Sequence, residues 1–135
     1  MTDSESRFEE RLLAALPADA DYASARHVVE RGSRLEVRNG VVEPSSTAHD
    51  EGVMFSVWTG AGAGYAATSD LSDEGLARAV EQARGWAATT AGRTVIDSPP
   101  LPHTVGEYAS PVTDSFDSLS LADQVALLVE ADAAL

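Results

Sequence analysis

The stretch from Gly52 to Ala87 constrains the fold more than any other part of the chain, because its hydrophobic period changes within it. In GVMFSVWT, Val53, Phe55 and Val57 alternate with Met54, Ser56 and Trp58, the period-two pattern of a strand with one face in a core. From Ser72 onward, Leu76, Ala79, Val80, Ala83 and Ala87 recur at helical spacing, with Trp86 beside them. Ser72 is placed to cap this helix. Asp73 and Glu74 fall in its first turn, where carboxylates favour the positive end of the dipole, and Gly92 is placed to close it. Such an order predicts a sheet packed on a helix.

Between the two patterns lies GAGAGYAATSDLS, from Gly60 to Ser72. Its alternating glycines invite comparison with phosphate-binding loops. A dinucleotide fingerprint must open directly into a helix, whose N-terminus then holds the pyrophosphate. Here the extended run YAATSD intervenes, and the third glycine is at the wrong distance. No lysine exists anywhere in the chain to reach a phosphate. The residues favour a hairpin turn, with Gly60, Gly62 and Gly64 supplying unusual φ angles and small side chains.

Upstream, Ser6–Leu16 reads as a helix with a capping box formed by Ser6 and Glu9. Tyr22–Glu30 reads as a strand, Gly32-Ser33 as a turn, and Leu35–Asn39 as a second, half-buried strand. Asn39-Gly40 is the strongest hairpin signal, because a type I′ turn needs positive φ at both central positions. Val41–Glu43 returns from it, and Pro44 with SSTAHDEG predicts an edge or a bulge. Arg93–Phe116 holds four of the six prolines and reads as an extended connector. Ser118 or Ser120 then opens a last helix, with Leu121, Val125, Leu128 and Val129 on one side. The expected fold is α+β. A curved, mostly antiparallel sheet of four to five strands packs on the helix Ser72–Ala91, flanked by helices Ser6–Leu16 and Ser120–Leu135. Residues 1–98 form the expected domain, and 99–135 a connector and the start of a further helical segment. The abrupt end reads as the front part of a longer protein.

Composition narrows function by exclusion. The chain of 135 residues carries a net charge of −13, and all nine cations are scattered arginines. That balance argues against direct nucleic-acid binding, which needs a basic footprint. No apolar run approaches the ~18 residues of a membrane span, and the acidic, amphipathic N-terminus is not a signal peptide. A cytoplasmic location is the expectation. Without cysteine there are no disulfides or thiolate ligands. Among the histidines, His27 lies in a predicted strand, His49 beside Asp50 and Glu51 in a polar loop, and His103 in the connector. No pair has the spacing of a helical zinc site. His27 reads as an edge or core residue and His49-Asp50-Glu51 as a solvated loop. The acidic pairs Glu9-Glu10, Asp50-Glu51 and Asp73-Glu74 read as solvated faces. Trp58 and Trp86 read as packing residues. No G-x-S-x-G elbow is present. The residues alone therefore predict no catalytic or metal-binding group in this chain.

Four segments in order carry a family resemblance: ADYASAR from Ala20, VRNGVVE from Val37, GVMFSV from Gly52 and GAGYAATSDLS from Gly62, followed by the Ala-rich helix. Together they resemble the N-terminal domain of the TldD/PmbA family of zinc metallopeptidases, also called modulators of DNA gyrase, over Ala20 to Ala91. The resemblance implies a cytoplasmic N-terminal module that encloses unfolded peptide substrates and forms a homodimer or a heterodimer with a family paralogue. It places the zinc and its H-E-x-x-x-H helix in a later part of the full-length protein, so no catalytic, cofactor-binding or metal residue carries over to this chain. The alternative is a non-catalytic PmbA-like partner subunit or a stand-alone protein-binding module. In this family the glycine stretch is the turn before the Gly-Tyr-Ala strand, with Asn39, Gly40, Gly60, Gly62 and Gly64 as turn residues and Ser72 as the helix cap.

Overall fold

Local chemistry decides where the elements start and stop in the computed structural model, which describes residues 3–95 and 106–135. The elements run α1 (Asp3–Ala15), β1 (Tyr22–Arg34), β2 (Val37–Arg38), β3 (Val41–Val42), β4 (Ser46–Thr59), β5 (Gly62–Thr68), α2 (Asp73–Thr90) and α3 (Leu121–Ala133), with a 3-10 turn at Phe116–Ser118. The chain divides into two compact units, Met1–Glu30 with Asp50–Leu101 and Arg31–His49 with Pro102–Leu135.

The first unit holds an antiparallel sheet in the order β1-β4-β5. Val53↔Thr68 through Thr59↔Gly62 set the register of β4 on β5. The alternation in β4 works as expected: Val53, Phe55 and Val57 are buried. They meet Leu76, Ala79, Val80, Ala83 and Ala87 of α2 and Leu12 of α1 in one core. Ser72 caps α2, its hydroxyl accepting the Gly75 N–H at 3.1 Å. Thus the sequence pattern, the cap and the burial agree along this unit.

The second unit pairs β2 only with β3, through Val37↔Val42 and Arg38↔Val41. Helix α3, capped by Ser120, makes its contacts with these two short strands. The four-to-five-stranded sheet is therefore corrected to three strands plus a separate hairpin. Two-residue strands at an NG turn present too few backbone groups to join a second ladder. Three local expectations also change. Helix α1 starts at Asp3, so Ser6 lies inside it rather than at its cap. Gly32-Ser33 continues β1 instead of turning. The SSTAHDEG segment contributes extended residues to β4. These exposed strand portions pair by backbone, and no apolar alternation announces them. Residues 96–105, including His103 and part of the proline-rich connector, lie outside the described residues.

Candidate functional site

The glycine stretch divides into two different devices. Gly60 has φ +60° and Ala61 does not, the arrangement of a two-residue turn with glycine first. The Asp21 carboxylate accepts the Gly60 N–H at 2.5 Å and fixes this turn. Gly62 and Gly64 are corrected from turn residues to strand residues, because they lie inside β5 facing α2. A β-carbon on Gly64 would stand 1.9 Å from the Ala83 carbonyl oxygen and 2.6 Å from the Ala87 nitrogen. One on Gly62 would stand 1.9 Å from the Ala87 carbonyl oxygen. Bare backbone is thus required for the helix and strand to approach so closely. No phosphate cradle forms, since the helix N-terminus at Ser72 follows the far end of β5.

The outer edge of β5 is partly closed. The Thr90 hydroxyl accepts the Ala63 N–H at 2.9 Å and donates to the Ala63 carbonyl at 2.7 Å. The Ala61 carbonyl accepts from Gly92 N–H at 3.2 Å and from the Thr94 hydroxyl. Alternate residues of an edge strand turn their backbone groups outward, so Tyr65 and Ala67 share the outward side with Ala63. The Tyr65 side chain is exposed.

Two grooves border this sheet. One of about 410 Å³ is lined by Arg26, Val28 and Glu30 of β1 with Asp50, Gly52 and Met54 of β4. The other, about 710 Å³, lies between α1 and the sheet. In it the His27 Nε2 stands 3.0 Å from the Glu51 Oε1. The Phe8 ring meets the His27 ring edge-on at 4.8 Å, and Arg11 stacks over Phe8 at 5.4 Å. His27 is thus a paired, part-exposed strand residue. The His27–Glu51 pair was missed from sequence, since nothing marks two residues 24 apart as neighbours until the strands are aligned. His49, in the other unit, does not join it.

Ion pairs hold the periphery. Arg11 bonds Asp73 at 2.8 Å and the Leu71 carbonyl at 2.7 Å, tying α1 to the start of α2. Arg84 grips Asp19 through two nitrogens at 2.6 and 2.8 Å, and this hydrogen bonding pulls the Asp19 carboxyl down to about 2. Ser72, followed by Arg78, lowers the Asp70 carboxyl, and Arg34 with Arg38 lowers Glu36. Each of these carboxylates is held charged by an exposed partner, which is a fastening role. No group of three or more His, Cys, Asp or Glu side chains that could hold a metal occurs among the described residues.

The family model described as PmbA/TldA metallopeptidase domain 1 matches residues 23–87. Residues 23–87 form a PmbA/TldD metallopeptidase domain 1. No curated protein matches the chain at a significant level. The matched PmbA/TldD domain takes in β1 but for its first residue, β2 to β5 and most of α2. It includes Asn39, Gly40, Gly60, Gly62, Gly64 and Ser72, whose roles described here are all structural.

Proposed function

We propose that this chain is the substrate-enclosing and dimerising N-terminal module of a zinc-dependent PmbA/TldD peptidase that acts on unfolded peptides in the cytoplasm. The family match over residues 23–87 is the observation that carries this reading. The donor chemistry of the described residues does not fit zinc, because no three ligating side chains converge. In this reading the zinc is held by residues other than those described. The contribution of the module is a surface.

The outer edge of β5 suits that role. Tyr65 and Ala67 offer backbone groups beyond the stretch that Thr90 closes, beside an exposed aromatic ring. An extended peptide pairs with such an edge through its backbone, which gives little sequence preference. Strand β4 lies between β1 and β5, so its ladder groups are already used and the free edges are β1 and β5. The dimer partner in this reading is a second copy or a family paralogue.

Amide hydrogen exchange of the chain with and without an unfolded casein tests the peptide-holding role. Slower exchange at Tyr65 and Ala67 in the presence of casein supports it. Unchanged exchange at both positions rejects it. Light scattering of the chain alone tests self-association separately.

A further inference from the structure

The Asn39-Gly40 pair carries a chemistry besides its shape. Asn39 is the one asparagine in the sequence, and the residue after it has no side chain to shield its nitrogen. Both residues are exposed, with left-handed φ of 51° and 74°. Their two N–H groups point at one carboxylate on α3. Gly40 N–H donates to Asp132 Oδ2 at 2.6 Å, and Asn39 N–H donates to Oδ1 at 3.3 Å.

We propose that Asn39 is a site of spontaneous deamidation through a succinimide, and that Asp132 is the latch that restrains it. In this reaction the Gly40 nitrogen loses its proton and forms a bond to Asn39 Cγ. The Cγ–Nδ2 bond breaks, and ammonia leaves with that proton. Water then adds to one of the two imide carbonyls and opens the ring, leaving aspartate or isoaspartate at position 39. Water is the only co-reactant.

The closed latch opposes the first step in two ways. The attacking nitrogen anion would form against the negative charge of Asp132, a repulsion strengthened at this close range. The turn also holds the Gly40 peptide plane in its left-handed geometry, whereas ring closure requires the nitrogen to swing over Cγ. The product opposes the latch in return. A new carboxylate at position 39 stands beside Asp132. An isoaspartate lengthens the main chain by one methylene and breaks the Val37↔Val42 and Arg38↔Val41 register. The modification therefore runs one way and frees the hairpin from α3.

The test is to incubate the 135-residue chain at mildly alkaline pH and follow position 39 by mass-spectrometric peptide mapping. Wild type is compared folded and in urea, beside Asp132→Ala and Asp132→Asn. The folded wild type is expected to convert several-fold more slowly than the urea-unfolded chain. Asp132→Ala is expected to approach the unfolded rate, with Asp132→Asn between them. A folded rate equal to the unfolded rate overturns the protection. An Asp132→Ala rate at or below wild type overturns the latch, and a slower one makes the carboxylate the base instead. If Asp132→Ala does not fold, Asp132→Asn decides, and a rate equal to wild type overturns the proposal.

Discussion

Helices α2 and α3 are both amphipathic and both capped by serine, yet α2 buries six residues and α3 none. The difference lies in what each helix meets. Helix α2 lies on a strand whose facing residues are Gly62, Gly64 and Ala66, so backbone approaches backbone and apolar surface is closed off from water. Helix α3 meets two strands of two residues each, whose Val41 and Val42 stay exposed. Its unit is fastened by polar contacts instead: Asp132 on the NG turn, and Gln124 donating to the Phe116 and Leu119 carbonyls. Apolar burial supplies most folding free energy, whereas exposed polar contacts mainly choose geometry. The first unit is therefore sensitive to volume and the second to hydrogen-bond chemistry.

The sharpest way to break this contrast is in the core. Phe55→Ala should cost about 3–5 kcal/mol in urea unfolding, since it empties the most buried large side chain. Gly64→Ala should cost about 3 kcal/mol or more, because its methyl meets backbone that cannot turn aside. A tolerated Gly64→Ala would show that α2 and β5 are not held as closely as described. Thr90→Val keeps the volume but strips the bonds to Ala63, and should cost about 1–3 kcal/mol in the same assay. Ser72→Ala removes the cap of α2 at about 1 kcal/mol, read as a lower thermal midpoint.

The smallest effect is at acid pH. The Asp19 carboxyl is held at about 2 against an ordinary 3.8, by its hydrogen bond to Arg84 first. A depressed folded value means the contribution is present above the ordinary value and is lost as pH falls through about 2. Arg84→Met should flatten the wild-type loss of stability between about pH 4 and 2. Identical slopes in the two proteins would remove the pair from the account.

Much of the first unit was legible because its signals are local. The alternation at Val53–Val57, the stripe from Leu76 to Ala87 and the Ser72 cap each follow from neighbouring residues. The positive φ of Asn39 and Gly40 followed from the turn chemistry of that pair. What was not legible depends on distant partners. The role of Gly62 and Gly64 exists only once α2 lies on β5. The extensions of β1 to Arg34 and β4 back to Ser46 are exposed and polar, so no period marked them. His27 and Glu51 meet only across two strands, and Asp132 is an ordinary helix acid until the NG turn reaches it.

A contact made of glycine and alanine is smooth. Along β5 it has no large side chains to interlock, so position there is set by the larger core residues on β4 and by polar contacts. Thr90 supplies one such contact. One hydroxyl that both accepts from and donates to Ala63 can be satisfied at a single axial position of the helix. The interface therefore gets its closeness from the residues without side chains, and part of its alignment from one that has a hydroxyl.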